Sequence, residues 1–265
     1  MNCDAFIEDK EKKLKFRKVK SAYAMDIGKK RKKNDDAVLV NDRLRFYAVS
    51  DGMGGLEYGQ KAARIACAAM DAQVIPKAYK EYHISRDVEK AAQTLQKGLY
   101  AVSKAMYEDK NADGVTSFGA TFCGVMILDD YLLWINMGDS RGYQYTASTS
   151  ECRKITKDHN IAQIEVEEGR LDEESAKQSE LSSKLYRFVG MKPNKIMPDV
   201  FITKAHKNDV LLLCSDGLYG MMKEKEIRRI LKNTLSVKRM CKRFTKKANR
   251  NGGRDNISAV TIRFS

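Results

Sequence analysis

A chain of 265 residues, 43% hydrophobic and carrying a formal charge of +14, is long enough to build a real core and too apolar to be disordered by composition. Its longest apolar runs, near residues 118–128 and 131–137, are too short to cross a bilayer, and the first twenty residues lack the apolar centre of a secretory signal. Six cysteines (Cys3, Cys67, Cys123, Cys152, Cys214, Cys241) form no C-x-x-C pair and several sit in apolar runs, so a reducing, cytoplasmic setting is expected.

In chain order, residues 22–27, 37–40 and 44–49 are rich in β-branched, aromatic or alternating apolar residues and predict short strands. Two helices follow, over 58–72 and 85–109; the second carries Val88, Ala91, Ala92, Leu95, Leu99, Val102 and Met106 at helical spacing. A strand over 118–128, the Asp129-Asp130 turn, a strand over 131–137 and another over 142–146 then predict an antiparallel meander, which excludes a doubly wound parallel sheet. Between 160 and 198 the composition turns polar, with a short helix around 171–177, and predicts a surface excursion able to act as a lid. Strands over 200–204 and 210–214, helices over 223–232 and 236–248, and a last strand over 257–263 complete an α+β sandwich of packed sheets covered by helices. No repeat or Pro/Gly-rich linker divides the chain, so residues 1–265 are expected to form one domain.

Much of the positive excess lies in 10–20, 29–33 and 238–254, without interleaved aromatics, and predicts a solvated basic face rather than a groove for nucleic acid. The chemistry is carried by four aspartates that stand where an apolar strand begins or ends: Asp36 before 37–40, Asp51 after 47–50, Asp216 after 211–215 and Asp255 before 257–263. An Asp-Gly turn alone would explain any one of them. Four strand ends gathered at one edge of a sandwich would instead form a self-repelling carboxylate cluster that calls for cations. Carboxylates and backbone carbonyls, without His or Cys, make an oxygen shell suited to Mg²⁺ or Mn²⁺ and ill suited to zinc.

The ordered set Arg31 to Asn34-Asp35-Asp36, Asp51-Gly52-Met53-Gly54-Gly55, Phe118-Gly119-Ala120-Thr121, Gly138-Asp139-Ser140-Arg141, Thr156-Lys157-Asp158-His159, Ser215-Asp216-Gly217-Leu218 and Asp255-Asn256-Ile257-Ser258 resembles the bacterial type of metal-dependent Ser/Thr protein phosphatases, type 2C. The resemblance implies a β-sandwich of two antiparallel sheets flanked by helices, in an αββα stack. It implies two Mn²⁺ or Mg²⁺ ions, with Asp51 bridging them, Asp36 and the Gly52 carbonyl beside it, and Asp216 and Asp255 on one ion. It implies hydrolysis of phosphoserine and phosphothreonine on the protein substrates of a Ser/Thr kinase, by direct in-line attack of a water activated between the ions. Arg31 falls at the phosphate-binding position, where a guanidinium can grip two oxygens as a lysine cannot.

Asn34 and Asp35 are expected to orient the turn or bound waters, Asp139 and Asp158 to form turns, and His159 to lie at the surface or cap an element. Met53 stands where some eukaryotic members carry a histidine for leaving-group protonation, so that proton must come from elsewhere. Thr116 replaces an aspartate that helps hold a third metal, which argues against a third ion; Asp113 could substitute only after a shift of its loop. The excursion 160–198 resembles the family's flap. Rival readings are a catalytically weak phosphatase-like regulatory domain and, behind it, a basic nucleic-acid-binding module; a monomer without a membrane span is expected.

Overall fold

The computed structural model describes residues 18–54, 58–112, 118–193 and 197–265, without the side chains of 110–112 and 178. Cys3, most of the basic stretch 10–20, Gly55, Asp113 and Thr116 lie outside the described residues.

Strand β1 (Val19–Asp26) opens the chain, followed by β2 (Ala37–Asn41), β3 (Phe46–Ser50) and the short β4 (Gly52–Met53). Helix α1 (Tyr58–Ala69) runs through a π-helical turn, Met70–Val74, into α2 (Ile75–Ser85), and α3 (Val88–Ala112) packs back along them. Strands β5 (Gly119–Ala120), β6 (Phe122–Leu128), β7 (Tyr131–Met137), β8 (Arg141–Thr146) and β9 (Glu151–Lys154) come next. The excursion holds α4 (Ile161–Glu167), α5 (Glu173–Gln178) and a 3₁₀ turn, Glu180–Ser183. The chain ends with β10 (Asp199–Lys204), β11 (Val210–Cys214), the one-turn α6 (Asp216–Tyr219), α7 (Glu224–Asn233), α8 (Val237–Arg250) and β12 (Ile257–Phe264).

Two five-stranded antiparallel sheets result, ordered β1-β12-β11-β8-β9 and β10-β7-β6-β3-β2. The period-two alternation of side chains decides how they stack. On β3, Phe46 and Ala48 join the cluster under α1 to α3, while Tyr47 and Val49 face the other sheet. On β11, Val210, Leu212 and Cys214 pack towards α7 and α8, and Leu211 and Leu213 enter the middle layer with Trp134, Val260 and Phe264. Both faces of the central strands are therefore dry, which explains why 122–128 and 131–137 read as apolar runs broken only by the buried Asn136. The αββα stack is the expected one.

The expected meander is corrected in one respect. β6 and β7 form a hairpin whose turn places Asp129 in the left-handed region, but β8 leaves that sheet and pairs with β11 and β9. Gly138, at φ 122°, makes the swerve: a side chain there would be strained and would also strike Thr121. The expected strand over 118–128 is likewise broken at Thr121, for a reason that belongs to the site.

Candidate functional site

The four aspartates reach one cleft because the strands that carry them end at the same edge of the sandwich. Asp36 enters β2 from a loop in which the Asn34 carboxamide oxygen accepts from the Asp36 N–H at 3.1 Å. Asn256 pins that loop from across the chain. Its side chain accepts from Asp35 N at 2.8 Å and donates to the carbonyls of Ile27 and Lys33 at 3.0 and 2.9 Å. Asp51 follows β3 and is fixed by Thr121, whose hydroxyl accepts from Asp51 N at 2.9 Å and whose own N–H donates to Asp51 O at 2.8 Å. These bonds pull Thr121 out of the ladder and split β5 from β6. Asp216 begins α6, with the preceding Ser215 hydroxyl donating to Asp36 Oδ2 at 2.9 Å. Asp255 leads into β12.

Gly52 shows why this edge tolerates nothing bulky: a Cβ there would stand 2.0 Å from the Gly59 carbonyl oxygen and 2.6 Å from that of Asp35. The Gly52 carbonyl itself lies against Gly59 in the first turn of α1.

The electrostatics follow from crowding. Burial pushes the Asp36 carboxyl up to about 7, against the hydrogen bond from Ser215 and with Asp216 and Asp255 adding repulsion. Asp51 is held well above the usual carboxylate range by loss of hydration and then by Asp36, Asp216, Asp139 and Asp255. Asp216 is raised by burial and by Asp255, against the Gly217 N–H and the Arg31 guanidinium. Asp139, buried, is also raised well above its ordinary value, first by burial and then by Asp216. Five carboxyl groups thus feel one another across one cleft.

Among the described residues, no three acidic, histidine or cysteine side chains are drawn together tightly enough to enclose an ion by themselves. The carboxylates ring the cleft instead. Asp36 Oδ1 and Asp216 Oδ1 are buried without a hydrogen-bond partner, an arrangement that is costly unless a cation or bound water completes it. Oxygen donors with orphaned lone pairs, spaced widely enough to leave room for water, suit Mg²⁺ or Mn²⁺, which keep part of their hydration shell. The residues present therefore fit a hydrated divalent cation.

Arg31 stands at the mouth, half exposed, with Nη2 donating to Asp255 Oδ2 at 2.7 Å. Asp35 lies beside the cleft, 3.3 Å from Lys33 Nζ. Asp139 accepts from the Tyr219 hydroxyl at 3.3 Å, and Arg141 lies 3.6 Å over the Tyr219 ring while pairing with Asp158. A narrow cavity of about 90 Å³ joins this group to the excursion, lined by Asp139, Arg141, Asp216 and Tyr219 on one side and Gln163 and Lys177 on the other. Asp158 is thus the buried partner of an arginine, not a turn residue. His159 is fully buried, contrary to expectation: its Nδ1 accepts from Gly138 N at 3.0 Å and its Nε2 lies 3.0 Å from Asp199 Oδ2. It is a structural histidine.

Thr121, Ser215 and Asn256 belong to motifs that give them no chemical role of their own, and their work shows only when strands far apart in the chain are placed side by side. The excursion is also stitched down: Val189 and Ala120 exchange backbone hydrogen bonds at 2.8 and 3.0 Å, and Val189 is fully buried.

Comparison with known proteins gives concordant results. The model of the family described as protein phosphatase 2C matches residues 29–259. A serine/threonine phosphatase, stp, of Listeria innocua is 30% identical over 245 residues, covering 91% of this chain and 94% of that protein. The serine/threonine protein phosphatase PstP of Mycobacterium tuberculosis is 28% identical over 90% of this chain and 44% of its own length. A crystal structure of the catalytic domain of PstP in complex with two manganese ions superposes with a TM-score of 0.78 at 26% identity, over 92% of this chain and 97% of that one.

Proposed function

Because this chain belongs to the protein phosphatase 2C family, we propose that it hydrolyses phosphoserine and phosphothreonine on proteins at the cleft ringed by Asp36, Asp51, Asp216 and Asp255. One observation carries the reading: carboxylates from four strand ends crowd one cleft, two of them with buried, orphaned oxygens, beside a half-exposed arginine.

In this reading Asp36, Asp51, Asp216, Asp255 and the Gly52 carbonyl hold two Mn²⁺ or Mg²⁺ ions, as the solved relative holds two manganese ions. The ions supply activation of the attacking water and neutralise charge on phosphate. The chain's own part is placement. Asp255 holds one edge of the Arg31 guanidinium and leaves the remaining N–H groups to grip phosphate oxygens from the side facing solvent. Thr121 and Asn256 keep the Asp51 and Asp35–Asp36 backbones from drifting, which matters because a displacement of 1 Å misaligns an in-line attack. The whole chain acts as a single phosphatase domain, with 160–198 as a flap over the narrow cavity. Its described cysteines are all unpaired, which suits the cytoplasm, where phosphoproteins made by a Ser/Thr kinase are its substrates.

The test is a manganese-dependent assay on a phosphothreonine peptide with the wild type and Asp216→Asn. Loss of turnover in the variant is expected; equal rates would leave a phosphatase-like domain without this chemistry.

A further inference from the structure

Residues 223–254 carry thirteen lysines and arginines against two glutamates, a net of +11 in a chain whose total is +14. The fold concentrates this charge. α7 and α8 bury Ile227, Leu231, Val237, Met240, Cys241, Phe244 and Ala248 against the first sheet, so the cations are turned outward. Between the two helices runs a groove of about 390 Å³ lined by Arg229, Ile230, Arg243, Lys246, Lys247 and Arg250. Glu226, also in its wall, is neutralised by Lys247 at 2.7 Å. Among the described residues Lys247 is the one cation of α8 with a carboxylate partner; Lys238, Arg239, Lys242, Lys246 and Arg250 have none. Unpaired cations on two packed helices repel one another, and a ligand that brings negative charge relieves the repulsion.

The groove leads to the candidate site. Arg250 ends α8 five residues before Asp255, and the turn between them is tied down by Gly253 N to Ala248 O at 3.1 Å and by Lys29 N to Gly253 O at 2.7 Å. Exposed Lys29, Lys30, Arg31 and Lys32 continue the positive surface to the mouth of the cleft, where Arg31 meets Asp255. α8 spans roughly 21 Å, a length that about six to seven residues of extended peptide would cover.

We propose that the α7–α8 groove is a docking site for an acidic or additionally phosphorylated segment of the substrate protein, seated while the phosphoresidue occupies the aspartate cleft. The proposal rests on the phosphatase reading above. A peptide is favoured over nucleic acid because the groove is a short concave channel with an apolar floor at Ile230, and no aromatic ring lines it for base stacking.

The triple variant Arg229→Gln, Lys246→Gln, Arg250→Gln removes exposed charges and no buried contact. The substrates are p-nitrophenyl phosphate, a phosphothreonine peptide flanked by glutamines, and two peptides with a run of glutamates starting about five residues before or after the phosphothreonine. The wild type should favour one acidic peptide, and the variant should lose about tenfold of kcat/KM on it through KM while the other two substrates are unchanged. Equal loss on all substrates, or no acidic preference in the wild type, overturns the proposal. Fluorescence anisotropy with a labelled, unphosphorylated glutamate peptide reads docking without turnover. Weakened binding by the variant supports the groove even if no peptide is hydrolysed, an outcome that would sink the phosphatase reading alone. Tighter binding of random duplex DNA than of the acidic peptide at ~150 mM salt, lost in the variant, would assign the groove to nucleic acid instead.

Discussion

Asp216 stands beside Asp51 and Asp255 with one buried oxygen unpartnered, so its charge costs the protein stability whenever no cation shares the cleft. Asp216→Asn removes that charge while keeping the shape. Thermal unfolding in EDTA should therefore show the variant more stable than wild type by on the order of 1 kcal/mol, about 2–4 °C for a chain of this size. The same variant should hydrolyse a phosphothreonine peptide more than about a hundredfold more slowly, a larger loss than follows removal of an outer partner. Thr121→Val tests such an outer partner. It leaves Asp51 N without its acceptor and Ser140 without the hydroxyl 2.7 Å away, and should cost on the order of 2 kcal/mol in denaturant unfolding. Activity should fall about ten- to a hundredfold, with Thr121→Ser recovering most of it. The four strand-end aspartates were legible in the sequence because each marks the start or the end of an apolar run. Thr121 and Asn256 were not, since their partners lie 70 and 221 residues away and nothing local marks a polar side chain as a clamp.

At the scale of elements, the excursion 160–198 is held where it rejoins β10. Burial alone would raise the Asp199 carboxyl, but hydrogen bonds from His159 and Arg187 outweigh it and bring it below its ordinary 3.8. A depressed folded value means that this anchor's contribution is present above the unfolded value and is lost as pH falls through the folded one. Amide protection across residues 160–191, measured relative to the intrinsic exchange rate at each pH, should thus fall as pH drops from about 5 to about 3. In Asp199→Asn the segment should exchange fast already at pH 7, with the acid step gone; an unchanged profile would show that Asp199 does not hold it. β7 and β11 were read with their true bounds because a turn or a polar stop closes each apolar run. β9 was missed because Glu151–Lys154 is a polar edge strand with no apolar alternation to detect. α2 was missed because Pro76 resembles a helix stop, whereas it occupies the first turn after the π-helical segment, where its absent N–H costs nothing. The α4 helix went unread because a short amphipathic turn inside a polar stretch carries too few apolar positions to set a period.

For the whole molecule, the sandwich and its site make opposite demands. The middle layer, with Trp134, Tyr47 and Phe264 fully buried, holds the two sheets together, and its polar atoms are satisfied, Trp134 Nε1 by Thr203 and the Tyr47 hydroxyl by Asp42. The same packing brings β2, β3, β11 and β12 to a common edge and forces their terminal aspartates into a repelling group. Stability of the domain should for that reason depend on divalent cation concentration. A cation bound by the folded chain alone adds about 2.7 kcal/mol at a hundredfold excess over its dissociation constant. For 265 residues this corresponds to a rise in Tm of roughly 5–10 °C on adding MnCl2 to metal-stripped protein, reversed by EDTA. The wild type should show this rise and Asp216→Asn little of it, while Trp134→Ala, which loosens the middle layer by about 3–5 kcal/mol, should start lower and keep the full increment. Identical increments in all three proteins would separate metal binding from the aspartate cleft, and with it the claim that the sandwich edge is built around cations.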